Sequence, residues 1–320
     1  MGRLRNSMVD RKEFGFLFPG QGAQAVGMGK DFYESSREAK SVFDLANQLL
    51  GFQLTKLCFE GPDEELMRTV NAQIAIFVTS TVVLEAVRAQ HPYVKPKLAC
   101  GLSLGEFTAL VALESISFED GLSLVHRRGE LMEEANQKNP GTMASILGLS
   151  IKECTFLCAE TRTELANLNS PEQFVISGPV KAVTEACEVA KAKGAKRAIL
   201  LKVGGAFHSS LMEHAKAGLE DALRKTNIKV PKGIFIPNVT GKPASDPEII
   251  RTLLAKQLTS SVQWIKTMDS VGRLGKMELL ELGPGRVLKG LARKINPDLN
   301  VIAIEKRADL EQLKPISVDS

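Results

Sequence analysis

The chain has 320 residues, which at about 150 residues per domain predicts two domains, or one large domain carrying an insertion. Hydrophobic residues make up 44% of the sequence and charged residues 24%, which excludes disordered, collagen-like and disulfide-scaffold proteins. The formal net charge of +4 is too small to indicate a nucleic-acid-binding protein.

Three further features bound the class of protein. The five cysteines are an odd number without a C-x-x-C pair, which indicates reduced, buried thiols and neither a disulfide framework nor a zinc site. Residues 1–12 carry Arg3, Arg5 and Arg11 without an apolar stretch, so we expect a disordered arm and not a secretory signal. The apolar stretch Ile74–Val87 contains polar residues and is too short for a bilayer, which predicts a buried core helix.

The first half of the chain alternates predicted strands with long helical segments. A buried strand at Phe14–Phe18 leads into a glycine-rich loop, and helical spacing follows over 30–50, 63–70 and 72–89. A short strand at Leu98–Cys100 then precedes helices at Phe107–Leu113 and Asp120–Asn136.

The next segment has a different order of elements. Strands at Thr142–Leu149, Glu164–Leu168, Phe174–Ser177 and Ala198–Val203 alternate with helices at Ile151–Glu160 and Val180–Lys193. This βαββαβ order is typical of a ferredoxin-like unit. Beyond it the sequence predicts helices at Leu211–Thr226 and Pro247–Leu258 and strands at Gly233–Val239 and Glu278–Leu282.

These elements predict an α/β protein. We expect an α/β-hydrolase-like domain with a mostly parallel sheet at residues 1–138 and 208–320, interrupted by a smaller ferredoxin-like subdomain at 139–207. The functional site is expected in the cleft between them.

The segment Gly101–Gly105 matches the G-x-S-x-G nucleophile elbow, in which two glycines permit a strained turn that exposes a serine hydroxyl. An ordinary Gly-Ser turn gives the same pattern, so the strand before it and the helix after it carry the prediction. Ser103 would be the nucleophile. The backbone N–H of Leu104, at the start of the helix, is placed to stabilise an oxyanion.

A serine nucleophile needs a base, and the chain offers four histidines: His91, His126, His208 and His214. His91 lies in a polar loop, and His126 and His214 lie on helical segments where a surface or core role is expected. His208 follows a run of small residues and is predicted to begin a helix after a strand, a common place for a site residue. We therefore take His208 as the base.

Seven short segments carry a resemblance to a known family. In chain order they are Phe18–Gly22, Gly101–Glu106, Arg127–Gly129, Asn167–Pro171, Gly205–His208, Val262–Trp264 and Glu281–Gly285. Together they resemble the malonyl-CoA:acyl carrier protein transacylases, and the resemblance covers roughly Phe14 to Glu305. Any one of these motifs is weak, whereas seven in order are specific.

The resemblance implies roles for individual residues. Ser103 would carry the malonyl group as an ester, and His208 would act as general base and then acid. The histidine would be oriented by the backbone carbonyl of Gln257, where a hydrolase uses an aspartate. Gln21 would supply a second oxyanion N–H beside that of Leu104, although a turn after a strand explains the segment around Gln21 equally well.

Arg128 would bind the free malonyl carboxylate, since a guanidinium is a planar, two-pronged donor. The alternative is a solvated arginine on the surface of its helix, which is the interpretation preferred for Arg127. Phe207 resembles the malonyl-selecting form of its motif, and a core phenylalanine is the alternative. One departure is Leu102, because the family's commonest elbow has histidine there; it puts in doubt hydrogen bonding beside the site and not the chemistry.

The implied reaction is ping-pong transfer of malonyl from malonyl-CoA to the phosphopantetheine thiol of acyl carrier protein, in fatty acid biosynthesis. It implies no metal, no redox cofactor, no nucleic acid and no membrane. We expect a cytoplasmic protein, or one in an organelle matrix in a eukaryote. Because acyl carrier proteins are acidic, basic residues at the cleft mouth would steer them, although a solvated face is as good an explanation: Lys193, Lys196, Arg197, Lys289 and Arg293.

Other classes of protein stay open at this point. Residues 20–25 formally satisfy the dinucleotide-binding pattern G-x-G-x-x-A, but Pro19 opens the turn and Gly27 and Gly29 would break the phosphate-binding helix. A serine hydrolase or thioesterase would share the elbow and base and lack a buried arginine for a carboxylate. A catalytically silent carrier-docking module is disfavoured by Ser103 and His208.

Overall fold

Within residues 13–313, the range that this computed structural model describes, nine strands form two separate sheets. The first sheet contains β1 (Phe14–Phe18), β2 (Pro96–Gly101), β7 (Ile234–Phe235), β8 (Glu278–Leu282) and β9 (Val301–Ile304). The second contains β3 (Gly141–Leu147), β4 (Glu164–Ser170), β5 (Gln173–Pro179) and β6 (Arg197–Leu200). The expected arm at residues 1–12 lies outside the described residues.

Helices connect the strands. The helices before β3 are α1 (Lys30–Ser35), α2 (Arg37–Leu50), α3 (Leu54–Glu60), α4 (Asp63–Met67), α5 (Thr69–Gln90), α6 (Gly105–Ala112) and α7 (Phe118–Lys138). The later ones are α8 (Ile151–Thr161), α9 (Val180–Ala192), α10 (Glu213–Lys225), α11 (Pro247–Gln257), α12 (Trp264–Arg273) and α13 (Val287–Ile295). Short 3-10 helices cover Ser210–Met212 and Arg307–Gln312.

The five-stranded sheet is parallel throughout, in the order β7-β2-β1-β8-β9. Its central strand β1 is buried along its whole length, as expected for a strand covered on both faces. The carboxyl ends of parallel strands meet at one edge of the sheet. The loops after β1, β2 and β7 therefore come together, and this edge carries the candidate site.

The four-stranded sheet is antiparallel, in the order β4-β5-β3-β6. Together with α8 and α9 it has the βαββαβ order of the ferredoxin-like unit. Strand β4 is tied to the rest of the chain by two backbone hydrogen bonds, from Val262 N–H to the Ala166 carbonyl and from Leu168 N–H to the Val262 carbonyl. The predicted α/β class is confirmed, while the domain boundaries at 138/139 and 207/208 stay a prediction.

Helix α5 is the longest helix and lies inside the molecule. It is long and apolar enough to cross a membrane by length and composition, yet 83% of its most apolar window is buried. It packs against α2, α6 and α7. This burial fits the core helix that the sequence predicts for Ile74–Val87.

Several predicted elements differ from the structure. The helix expected over 30–50 divides at Ser36, whose side-chain oxygen accepts the Ala39 N–H and begins α2 there. The helices expected over 63–70 and 72–89 divide one turn earlier, at Arg68. The strand expected at Gly233–Val239 forms only over β7, because the residues after it turn toward the site. Helices α3, α12 and α13 and strand β9 were not predicted.

Candidate active site

Ser103 occupies a sharp turn between the end of β2 and the start of α6. Its φ of 51° lies in the left-handed region, which is strained for a residue with a side chain. The flanking glycines are required sterically: a Cβ on Gly101 would lie 2.1 Å from the carbonyl carbon of Gly105, and one on Gly105 would lie 2.2 Å from the Phe18 oxygen. Asn238 braces the turn, because its Oδ1 accepts the Ser103 N–H (2.6 Å) and its Nδ2 donates to the Gly101 carbonyl (2.7 Å).

The structure brings His208 to this serine. His208 Nε2 lies 2.8 Å from Ser103 Oγ, and Nδ1 lies 2.8 Å from the backbone oxygen of Gln257. A carbonyl only accepts, so Nδ1 carries the proton and Nε2 is left to accept from the serine hydroxyl. The histidine does not begin a helix as predicted; it lies in a turn, with φ of 58°, just before the 3-10 helix Ser210–Met212.

The surroundings of His208 keep its ring neutral. Burial, and after it the positive charge of Arg128, lowers the pKa of His208 to about 4. Hydrogen bonds to the backbone at Gln257 and Ser260 act in the opposite direction. At neutral pH the imidazole is therefore free to take a proton from Ser103.

Arg128 projects from α7 to the same serine oxygen. Its Nη2 donates to Ser103 Oγ (2.9 Å) and to Gln257 Oε1 (2.9 Å), and its Nη1 donates to Gln73 Oε1 (2.6 Å). Its Nε is buried without a hydrogen-bond partner among the described residues. A buried N–H beside the nucleophile therefore remains available to an anionic group.

The two neighbouring arginines on α7 have different environments. Arg128 is only 1% exposed, so a solvated surface arginine is excluded at this position. Burial lowers its pKa to about 10, against the opposing effect of Glu106, and it stays positively charged at neutral pH. Arg127 faces the solvent, where it pairs with Glu130 (2.9 Å) and Glu134 (3.2 Å), as the sequence predicts.

Comparison with known proteins gives the family. A family model described as an acyl transferase domain matches residues 15–288. A malonyl CoA-acyl carrier protein transacylase of Bacillus subtilis (strain 168) is 42% identical over 301 residues, which cover 92% of this chain and 94% of that protein. The chain belongs to the malonyl CoA-acyl carrier protein transacylase family.

Solved structures of this family share the fold. The acyl-carrier-protein-S-malonyltransferase of Bartonella henselae superposes with a TM-score of 0.90 at 38% identity, covering 94% of this chain and 98% of that one. A malonyl-transacylase solved in complex with its type II PKS acyl-carrier protein gives a TM-score of 0.91 at 36% identity, with coverage of 94% and 98%.

The two residues expected to form the transacylase oxyanion hole lie next to the elbow. Leu104 directly follows the serine at the start of α6 and is buried. Gln21 is half-buried in the turn after β1, and the preceding Gly20 approaches so closely that a Cβ there would lie 2.4 Å from the Leu102 oxygen. The turn and the elbow are thus in contact, and the oxyanion role of the two N–H groups stays a prediction.

Phe207 directly precedes His208 and is 5% exposed within the main apolar cluster of the large sheet. This environment matches the core alternative, and its part in acyl selection stays a prediction. Leu102, where the family's commonest motif has histidine, is partly buried and packs on the smaller apolar cluster that contains Trp264. Its side chain thus takes part in packing.

Sequence patterns alone do not mark Gln73, Glu106 or Asn238 as site residues. All three are fully buried: Gln73 and Glu106 on α5 and α6, and Asn238 in the loop after β7. A signal was present for the first two, because each directly precedes an apolar helical run, Ile74–Val87 or Phe107–Leu113, where burial of a polar side chain requires a partner. Asn238 was hidden within an expected strand.

The described residues contain no group of three or more His, Cys, Asp and Glu side chains that could hold a metal ion. The cysteines Cys154 and Cys158, one turn apart on α8, are buried with free thiols. Their environment is the apolar cluster of the four-stranded sheet.

Proposed function

We propose that this protein transfers a malonyl group from malonyl-CoA to the phosphopantetheine thiol of an acyl carrier protein, through an ester on Ser103. One observation carries the proposal: Ser103 Oγ is hydrogen-bonded both to His208 Nε2 (2.8 Å) and to the buried Arg128 Nη2 (2.9 Å). A serine–histidine pair supplies acyl transfer in general. The buried guanidinium adds a preference for an acyl group that carries its own carboxylate.

In the first half-reaction, His208 Nε2 takes the hydroxyl proton as Ser103 Oγ attacks the thioester carbonyl carbon. The backbone N–H groups of Leu104 and Gln21 stabilise the resulting oxyanion. When the tetrahedral intermediate collapses, the carbon–sulfur bond breaks and the coenzyme A sulfur takes the proton from His208. The Gln257 carbonyl, 2.8 Å from Nδ1, holds the ring and favours its charged form at this step.

The second half-reaction runs the same chemistry in reverse. His208 takes the proton from the carrier thiol, whose sulfur attacks the ester, and Ser103 leaves with that proton restored. Only an acyl group and protons move between the two substrates. The steps therefore balance without a redox cofactor.

Arg128 provides the acyl specificity in this proposal. A carboxylate bound along the guanidinium edge formed by Nε and Nη2 would satisfy the unpartnered Nε and make a two-pronged, charge-assisted pair. An acetyl group would leave the Nε donor buried and unpaired, which is costly. After transfer, the malonyl group is an ester of Ser103 Oγ. Its carboxylate would then lie close to this oxygen, which Arg128 Nη2 contacts in the free enzyme.

The names of the relatives support the substrates. The Bacillus subtilis and Staphylococcus aureus proteins are named for malonyl CoA and acyl carrier protein, and one structural neighbour holds its carrier protein in complex. We propose fatty acid biosynthesis as the pathway. We place the protein in the cytoplasm, since the curated relatives are bacterial and all five cysteines are free thiols.

We also propose that the domain division lies at 138/139 and 207/208, with the acyl groups entering between the two sheets. A cavity of about 410 Å³ is lined by Lys196, Arg197 and Glu172 from the segment 139–207 and by Lys294 from the larger part of the chain, so its basic side chains outnumber its one acidic side chain. Positive charge at this position suits an acidic carrier protein.

The test is incubation with malonyl-CoA radiolabelled in the malonyl group, with and without holo acyl carrier protein. We expect label on Ser103 that is stable in water and moves to the carrier, and no label on Ser103→Ala, whose fold is unchanged. Release of the label to water at the same rate with and without carrier would identify a hydrolase and overturn the proposal.

A further inference from the structure

A buried carboxylate that the proposed chemistry does not use lies behind the site. Glu106 is fully buried in the first turn of α6, close after Ser103 in the chain. One of its oxygens accepts the backbone N–H of Asn238, the residue that braces the elbow, and the other accepts Gln257 Nε2. Both oxygens therefore face N–H donors, which is the arrangement that an ionised carboxylate satisfies.

Gln257 links this carboxylate to Arg128. Its Nε2 donates to Glu106 and to the Ser103 carbonyl (3.0 Å), and its Oε1 accepts from Arg128 Nη2 (2.9 Å). An amide has one donor end and one acceptor end, which exchange when the group rotates by a half turn. A carboxylate only accepts and a guanidinium only donates, so a single orientation of the amide satisfies both neighbours.

We propose that Glu106 is a positioning residue: it fixes the orientation of the Gln257 amide, and through that amide it holds the Arg128 guanidinium against Ser103. The inference rests on the proposed function, in which Arg128 binds the malonyl carboxylate. Glu106, the last residue of the elbow motif, thus takes part in acyl selectivity without contacting the substrate.

Burial and hydrogen bonding act in opposite directions on the Glu106 carboxyl. Burial raises its pKa to about 8, against the opposing effect of the bonds from Asn238 and Gln257 and of the charge of Arg128. Because both carboxylate oxygens face N–H donors, neither is placed to donate a proton, and the geometry favours the ionised form. Burial lowers the pKa of Arg128, and the charge of Glu106 raises it. Each buried charge thus stabilises the other through one shared amide, and removal of either leaves the amide with a mismatched neighbour.

The test is Glu106→Gln. The new side chain keeps a carbonyl oxygen for the Asn238 N–H, so the elbow stays braced, but it turns an NH₂ group toward the NH₂ of Gln257. If Gln257 rotates to avoid this contact, its NH₂ then faces the Arg128 guanidinium, donor against donor. We expect the malonyl-to-acetyl ratio of kcat/KM to fall about tenfold or more, as for a lost hydrogen bond to a charged group.

A second readout separates positioning of Arg128 from damage to the serine and histidine. A neutral alkyl fluorophosphonate reacts with the activated Ser103 and makes no demand on a cation. We expect its labelling rate to fall much less than malonyl loading in Glu106→Gln. Equal falls in the two rates would mean a general structural role and would overturn the proposal.

The double variant Glu106→Gln with Gln257→Glu is the rescue. The carboxylate at 257 accepts from both the amide at 106 and the Arg128 guanidinium, although the Ser103 carbonyl loses the donor that Gln257 Nε2 supplies. We expect the double variant to recover part of the malonyl-to-acetyl ratio. The matched control is Glu281→Gln, another fully buried carboxylate, which accepts the backbone N–H groups of Leu288 and Lys289 and should leave the ratio unchanged.

A folded Glu106→Gln variant with an unchanged ratio would overturn the role of Glu106. Should that variant not fold, Gln257→Met removes the same link from the other side, and an unchanged ratio there has the same meaning. Wild-type malonyl transfer is measured in the same assay. Its absence would count against the proposed function, whereas a normal wild type with unaffected variants counts against Glu106 alone.

Discussion

At the scale of single residues, Arg128 decides between a transferase for malonyl and a general serine acyltransferase. Arg128→Ala removes the only guanidinium that contacts Ser103 Oγ in the described part of the chain. We expect kcat/KM for malonyl-CoA to fall by roughly 100-fold or more, the usual cost of truncating a buried, hydrogen-bonded charge. Acetyl-CoA should lose much less, and the ester should leak to water more readily. The measurement is the malonyl-to-acetyl ratio of kcat/KM.

The neighbouring arginine is the matched control. Arg127→Ala removes the same side chain from the solvent face of α7 and should leave the ratio unchanged, since Arg127 pairs only with Glu130 and Glu134 in the described structure. Arg128→Lys should restore the ratio in part, because an ammonium is a point charge without the planar fork. If Arg128→Ala lowers both rates together and keeps the ratio, the carboxylate binds elsewhere.

The environment of His208 predicts an unusual pH dependence. Its pKa is lowered from 6.5 to about 4, mainly by burial and then by Arg128, so the neutral, proton-accepting form persists in weakly acidic solution. We expect the rate of Ser103 labelling by a neutral fluorophosphonate to hold below pH 6.5 and to fall only near pH 4. In Arg128→Ala, the loss of positive charge and the entry of water should move this fall to higher pH. A wild-type fall centred at 6.5 would contradict the burial argument.

The same pKa shift has a stability consequence with a definite sign. Between pH 6.5 and about 4 the unfolded chain protonates this histidine while the folded chain keeps it neutral. The unfolded state thus binds more protons, and the free energy of unfolding decreases as the pH falls through this window. In His208→Gln, the free energy of unfolding, measured by urea unfolding, should decrease less over the same pH range.

The sequence named most of the residues that meet at Ser103, and the structure shows why it could not name all of them. Ser103 and His208 could be found from a short motif and from the scarcity of histidines. Gln73, Glu106 and Asn238 act as hydrogen-bond partners of backbone and side chains far away along the chain. Their roles depend on which loops come together at one edge of the sheet, and local sequence patterns do not predict such tertiary contacts.

At the scale of elements, the junction of β1, β2 and α6 depends on glycine. A Cβ on Gly105 would lie 2.2 Å from the Phe18 oxygen, so Gly105→Ala must move either the helix or the strand. We expect a loss of roughly 1–3 kcal/mol in the free energy of unfolding, as for an overpacked core, together with loss of Ser103 labelling. Urea unfolding monitored by circular dichroism measures the first effect.

A second glycine is the control for helix propensity. Gly290 lies on the exposed side of α13, and a Cβ there would meet nothing within 4 Å. Gly290→Ala should raise the free energy of unfolding by about 0.5–1 kcal/mol and leave Ser103 labelling unchanged. If both alanine variants behaved alike, the close approach at Gly105 would not be the cause.

Predictions of elements succeeded where the hydrophobic period was long and unbroken. The βαββαβ order of residues 141–200 was predicted in full, because each strand and helix there has a clear pattern. Elements that rely on tertiary contacts were missed or shortened. Strand β7 keeps only Ile234 and Phe235, since Asn238 soon after it is required at the elbow, and α2 begins anew at Ser36 because a local cap competes with continuation.

At the scale of the whole molecule, the distribution of charge should guide the carrier protein. Of the five basic residues predicted to steer it, Lys193 and Lys196 pair with Glu160 (2.9 Å) and Glu172 (3.3 Å), which weakens their outward field. Arg197 is exposed and lines the cavity of about 410 Å³ that Lys294 also lines. Lys289 and Arg293 are exposed as well, but they do not line this cavity, so Arg197 is the first of the predicted contacts to test.

Arg197→Glu should raise the apparent KM for acyl carrier protein, more at low salt than at high salt, because screening weakens charge steering. Loading of Ser103 by malonyl-CoA without carrier should not change. Lys56→Glu makes the same charge change at an exposed position of α3, which does not line this cavity, and should have little effect. An increase in KM that is independent of salt would argue against steering by charge.

The buried cysteines have a consequence for an enzyme whose substrates and products carry thiols. Burial raises the pKa of Cys58 and of Cys154 to about 12, and it raises that of Cys100 well above the usual range. Thiol–disulfide exchange requires a thiolate, and at neutral pH these side chains supply almost none. Oxidised coenzyme A or an oxidised carrier protein should thus find no partner for a mixed disulfide on the folded enzyme, and a thiol-specific colorimetric reagent should titrate the five cysteines only after unfolding.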